Sequence, residues 1–122
     1  RDYPRSLQGK RDEICGGSMT ELGKAMVDVR AQVLVVRGLK RQMKCAQAES
    51  EKKYFNLKLS QQTRILVKLE AKARSMMNDM KPEMYAFCVM YYISGMNLAV
   101  TAETLGRSVR QCARYKRRIE NE

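Results

Sequence analysis

The 122-residue chain contains no histidine and no tryptophan. Without histidine, His-based general acid–base catalysis, Ser-His and Cys-His nucleophile pairs and His-ligated metals are all excluded. Without tryptophan, and with only two Phe and six Tyr, neither a large aromatic core nor a base-stacking platform is expected. Close cysteine spacings are also missing. Cys15, Cys45, Cys88 and Cys112 form no CxxC, so a zinc ribbon or thioredoxin-like motif has no support and reduced intracellular thiols are expected. No apolar run approaches the roughly 18–20 residues of a membrane span. Arg1 to Arg11 is polar and contains Pro4, unlike a signal peptide. Acid is scarce: 13 Asp and Glu stand against 24 Lys and Arg, a net charge of +11. Such an excess favours polyanions, with nucleic acid the first candidate and an anionic membrane surface the second.

Proline and glycine are sparse and punctuate the chain. Residues 1–18, with Pro4, Gly9, Gly16 and Gly17, read as an arm. From Ser18 to Lys81 there is no proline, and only Gly23 and Gly38 interrupt good helix formers. Ser18 and Glu21 fit a capping box. Leu22, Met26, Val29, Val33, Val36 and Met43 then follow heptad spacing, broken by Lys40. Gln47 and Ser50 weaken the seam, and Tyr54 and Leu57 resume it. A second apolar line runs through Leu59, Leu66, Leu69, Ala73, Met76 and Met80, widened by Ile65 and Val67. One long rod fits this pattern. So does a hairpin that breaks between Glu49 and Ser60, with Ser60 as a cap; either form is expected to self-associate.

Pro82 suits the first turn of a new helix. Glu83 to Ser94 reads as that helix, with Gly95 as its stop. Met76, Met77, Met80 and Met84 surround the joint and read first as core filler, with a dimer contact as the alternative, while Tyr85, Tyr91 and Tyr92 are expected to pack with their hydroxyls in water. The expected organisation is therefore all-α: an arm over 1–18, a long helical dimerisation segment over 19–81, and a DNA-binding module over 82–122.

The most informative stretch is 98–118, LAVTAETLGRSVRQCARYKRR. Leu98 to Leu105 forms two helical turns that bury Leu98, Ala102 and Leu105. Gly106 follows where the chain needs positive φ, and Ser108 with Gln111 caps a further helix. Val109, Cys112 and Ile119 give that helix an inner side. These are the steric requirements of a helix-turn-helix. Between Thr104 and Ile119 six basic residues occur with no acid. Ser108, Arg110, Gln111 and Arg114 are the candidates for base edges, and Arg107, Lys116, Arg117 and Arg118 for phosphates. Arg37, Lys40, Arg41 and Lys44 form a second basic stripe: a solvated flank, an auxiliary phosphate contact, or a site for the transcription machinery.

The segment Met84–Ile119, centred on YYISGMNLAVTAETLGRSVRQCARYKRRIE, resembles DNA-binding region four of sigma-70 type factors. More narrowly, it is similar to small phage-encoded transcriptional regulators of the RinA and ArpU type. The pattern maps onto Tyr92 and Gly95, then Ala102, Leu105, Gly106, Ser108 and Cys112. Thr101 stands where an aliphatic is usual, and Cys112 replaces Val or Ile. The resemblance implies a sequence-specific regulator of transcription in the cytoplasm of a bacterial host. Its implied partners are double-stranded DNA, a second copy of itself and RNA polymerase. Three other readings fit the residues: an antitermination or polymerase-binding factor, a DNA-packaging recognition subunit, and a structural coiled coil whose basic tail meets membrane or RNA. Glu70, Asp79 and Glu83 make no convincing catalytic carboxylate pair, and no Gly-rich phosphate loop occurs. No active site, metal or cofactor is expected.

Overall fold

A computed structural model describes residues 19–121. Five helical elements follow one another, with no strand among the described residues. Helix α1 spans Glu21–Cys45 and α2 spans Glu49–Ser75. Helix α3 covers Pro82–Cys88 and continues as a π-helical turn over Val89–Ile93. Helices α4, Leu98–Leu105, and α5, Val109–Asn121, complete the order. The arm expected over 1–18, with the Ser18 cap, lies outside the described residues; the observed N-cap of α1 is Thr20.

The long segment is a hairpin, and it turns earlier than the sequence suggested. Ala46, Gln47 and Ala48 separate the two helices, so Ser60 lies inside α2 rather than at its start. Ala48 has extended geometry and no capping side chain of its own. Its N–H donates instead to the Glu51 carboxylate at 3.4 Å. Gln32 crosses the hairpin, donating to the backbone and side-chain oxygens of Gln62 at 2.9 and 2.8 Å. Met26, Val29 and Val36 of the first seam are buried, but Tyr54 and Leu57 do not resume it and are exposed, as are Ile65 and Val67. On α2 the inward positions are Leu66, Leu69 and Ala73.

Residues from both sides of Pro82 share one core. Met26, Val29, Ala73 and Met77 pack with Phe87, Tyr92, Ala102, Cys112 and Ile119. Met77 is fully buried and Met76, Met80 and Met84 pack against this cluster, so the methionines at the joint serve the fold. The core has an aromatic centre that the low aromatic count did not suggest. Phe87 stacks on Tyr91 at 5.4 Å and meets the edges of Tyr92 and Tyr115 at 6.0 and 5.6 Å. Such offset and edge-on pairs add about 0.5–1.5 kcal/mol each beyond the area they bury. The hydroxyl of Tyr92 is not in water: it donates to the Glu120 carboxylate at 2.7 Å.

The π turn delivers Tyr91, Tyr92 and Ile93, three consecutive buried residues, into that core. Ser94 N–H donates to Val89 C=O, five residues back, at 2.8 Å. Two arginines of α1 satisfy carbonyls that this end leaves over. Arg30 donates to Tyr91 O at 2.5 Å and Met96 O at 2.7 Å, with its guanidinium 4.0 Å from the Tyr91 ring centroid. Arg37 donates to Ser94 O at 2.7 Å and Gly95 O at 3.2 Å. Gly95, at φ +73°, ends the helix as the sequence indicates. A side chain there would also meet Val33 at 2.8 Å.

The described thiols separate by burial: Cys45 is exposed, whereas Cys88 and Cys112 are inside. Burial pushes the Cys88 thiol up to about 12 and raises Cys112 as well. In a Cys15→Ser variant, Cys45 should react with a disulfide reagent on mixing, and Cys88 and Cys112 only on denaturation. Prompt labelling of all three would contradict this packing.

Candidate nucleic-acid interface

Helix α4 starts at Asn97, whose side chain accepts from Val100 N–H at 2.8 Å. Thr101 and Ala102 face inward, and Leu98 and Leu105 are half-buried. Thr101, the polar departure in the motif, is fully buried without leaving an orphan hydroxyl, because Oγ1 donates to Asn97 O at 2.9 Å. The helix closes on Gly106 at φ +71°. Arg107 N–H donates to Ala102 O at 2.9 Å and Gly106 N–H to Glu103 O at 3.2 Å. This is the left-handed closure that favours glycine, because a Cβ at this φ strains the backbone.

Two residues after Gly106, Ser108 Oγ accepts the Gln111 N–H at 3.0 Å and caps α5. The inner side of α5 consists of Cys112, Tyr115 and Ile119. Val109, expected inside, is 48% exposed. Its exposure follows from the helical repeat, which groups 112, 115 and 119 and puts 109 at their margin.

The basic residues then divide by what holds them. Arg107 forms a two-point contact with Glu83, Nε to Oε2 at 2.6 Å and Nη2 to Oε1 at 3.3 Å. Tyr115 O–H donates to the same carboxylate. Lys116 pairs with Glu120 at 3.2 Å, one turn along α5. Gln111 accepts from Arg114 at 3.3 Å and lies in a groove with Met80, Met84, Tyr115 and Arg118. Arg110, Arg114, Arg117 and Arg118 are exposed, and among the described residues none is paired with an acid. The helical repeat sets Arg110, Arg114 and Arg117 on the face opposite Cys112 and Ile119. Of the second stripe, Arg37 is committed to the π turn, while Lys40, Arg41 and Lys44 are exposed.

Two elements of the site have no signal in the local pattern. Glu83 stands 24 residues from Arg107 in sequence, and no periodicity links them. The other is the seat of α5. Thr20 Oγ1 donates to Ile119 O at 2.9 Å while accepting Gly23 N–H at 2.8 Å, and Thr20 N–H donates to Glu120 O at 3.2 Å. The N-terminus of α1 thus meets the C-terminal carbonyls of α5, a favourable dipole arrangement. Gly23 permits the approach: a Cβ there would lie 2.7 Å from Glu120 Cα and from Ile119 O.

The Arg107 and Tyr115 hydrogen bonds hold the Glu83 carboxyl down to about 2. Because its folded value lies below the unfolded one, the stabilisation is complete above the ordinary carboxylate range. It is lost as pH falls through about 2. Denaturant titrations of the parent and of Glu83→Gln should therefore differ at neutral pH and converge as pH drops from the ordinary carboxylate range towards about 2. A difference that does not change with pH would remove Glu83 from the acid response.

No family model, curated protein or solved structure matches the chain. Among the described residues no helix is long and apolar enough to cross a membrane, and no group of three or more His, Cys, Asp or Glu gathers in metal-binding geometry.

Proposed function

We propose that this protein is a sequence-specific DNA-binding regulator of transcription, with α4 and α5 acting as a helix-turn-helix and α5 entering the major groove. The observation that carries the reading is the outward row Arg110, Arg114 and Arg117 on α5, a helix launched from a glycine turn and a serine cap. A rigid helix with one face in the core and arginines on the other is what major-groove readout needs, since Arg contacts guanine edges bidentately. Arg118 and Lys116 flank that row as phosphate contacts. Arg107, tied to Glu83, acts from the turn as a placed cation. The resemblance of Met84–Ile119 to sigma-70 region four, and to RinA and ArpU type regulators, supports the same reading and a bacterial host as its setting. Pairing of two copies through the hairpin would supply half-site spacing.

The test is selection of duplex fragments by the purified protein at about 150 mM salt, because lower salt inflates non-specific binding. An enriched motif is expected, and its repeat spacing reports the geometry of a dimer. Retention with no enriched motif would replace the reading with a non-specific architectural binder. A ring-forming oligomer in sedimentation would favour a packaging role. Capture by RNA polymerase without DNA would favour an antitermination or polymerase-binding factor.

A further inference from the structure

The hairpin places a second basic surface at a defined distance from α5. On α1, Arg30, Val33 and Arg37 face the C-terminal helices: Arg30 and Arg37 cap the π turn, and Val33 lies over Gly95. Lys40 and Lys44 continue that row with the same spacing of threes and fours. They stand beyond Gly95, where α1 overhangs the body, and both are exposed. Arg41 flanks them.

The turn at Ala46–Ala48 then brings α2 back beside this end, so that Lys52 and Lys53 join Met43 and Asn56 along one groove. Two acids share the tip, and Glu49 lines the same groove. Glu51 accepts the Ala48 N–H at 3.4 Å, and Glu49 lies 3.9 Å from Lys52. Among the described residues Lys40, Arg41, Lys44 and Lys53 have no acidic partner.

Distance selects the ligand. The C-terminal end of α5 is fixed at Gly23, and 17 to 21 residues of α1 separate Gly23 from Lys40 and Lys44, about 26–32 Å at 1.5 Å per residue. One turn of duplex DNA is roughly 34 Å. A rigid helix therefore carries a cluster of cations about one duplex turn along α1 from the seat of α5's C-terminal end. The cluster is cationic and exposed, which suits a phosphate backbone, although Tyr54 and Leu57 are exposed nearby on α2.

We infer that the hairpin tip, through Lys40, Arg41, Lys44 and Lys53, is a second contact to the phosphate backbone of the same DNA duplex, one helical turn from α5. The inference rests on the reading of α5 as the major-groove helix. It assigns the long hairpin a measuring role as well as a structural one, and Arg37 is the strut that holds the overhang to the body.

The test compares the full chain with its Lys40→Ala, Arg41→Ala, Lys44→Ala, Lys53→Ala variant on duplexes of about 12 and about 30 bp, both carrying the selected motif, as salt is varied. The four side chains are exposed and alanine suits a helix, so the variant should match the parent in circular dichroism and melting. On the long duplex the variant should lose tenfold or more in affinity. Its log K against log salt slope should fall by about 0.9 for each lost phosphate contact. On the short duplex the two proteins should bind alike. Equal binding on both lengths overturns the inference, and so does an equal loss on both, which would mark a long-range charge effect. Loss of binding to phosphatidylserine vesicles with long-duplex binding intact overturns it in favour of a membrane surface. The short duplex tests α5 separately: if Arg110→Ala, Arg114→Ala, Arg117→Ala leaves that binding intact, the α5 reading fails. A failure confined to the tip leaves α5 standing.

Discussion

Alanine at Gly23 should destabilise the protein, and alanine at Gly38 should stabilise it. Both glycines lie within α1, where replacing glycine gains roughly 0.5–1 kcal/mol from backbone entropy. At Gly38 nothing lies within 4 Å of the added Cβ, so that gain is realised in full. At Gly23 the Cβ meets backbone atoms of Ile119 and Glu120 at 2.7 Å, and backbone cannot rotate aside as a side chain can. Helix α5 must retreat, which stretches both hydrogen bonds from Thr20. Overpacking of this kind costs about 1–3 kcal/mol, and each hydrogen bond weakened adds about 0.5–1.5 kcal/mol. The net expectation is a loss of roughly 2–4 kcal/mol, read as a lower melting temperature beside a raised one for Gly38→Ala. Hydrogen exchange should place the damage at 115–121 and in the first turn of α1. If Gly23→Ala melts at or above the parent temperature, α5 is not seated on α1 as described.

The second large effect is on binding. Removing Arg110, Arg114 and Arg117 together should abolish enrichment of any motif and cost at least about a hundredfold in affinity, since each bidentate guanine contact contributes about 1–3 kcal/mol. The single variants discriminate further. A base contact should relax preference at one position. A phosphate contact should weaken every sequence alike and lower the salt slope by about 0.9. Since all three side chains point to solvent, stability should be unchanged. Arg107→Ala should behave differently: it strips Glu83 of its cation and so lowers stability along with binding. Full affinity in the triple variant would remove α5 as the reader.

Much of the fold follows from residues whose effect is local. Pro82 begins α3, Gly95 and Gly106 both adopt positive φ, Ser108 caps α5, and α4 spans Leu98–Leu105 as its apolar pattern indicates. In each case one side chain, or its lack, dictates the backbone within a turn. The misplaced features depend on partners distant in sequence. The hairpin turns on Ala46–Ala48, three residues with no glycine or proline, and the cap comes from Glu51 rather than from the capping position. Tyr54 and Leu57 keep heptad spacing yet stay exposed, because α2 turns a different line towards α1. The same applies at the site. The outward row on α5 is legible from spacing alone. The capture of Arg107 by Glu83, and the use of Arg37 as a cap rather than a surface cation, depend on how helices lie against one another.

The hydrogen bonds between Thr20 and the end of α5 span 99 residues, and they bear on the order in which the protein is made. Of the described helices α1 leaves the ribosome first and α5 last, so the surface that seats α5 waits exposed until Ile119 and Glu120 have emerged. Contacts this remote in sequence slow folding, because a long loop must close before they form. A nascent chain halted before Ile119 therefore lacks the closing contact, and the arginine row becomes fixed only once that contact forms. By the same geometry, residues 20 and 120 lie close enough for a short linker to join them, with new ends opened at Ala46–Ala48. In that permutant α5 would be made next to α1, and it should dock early.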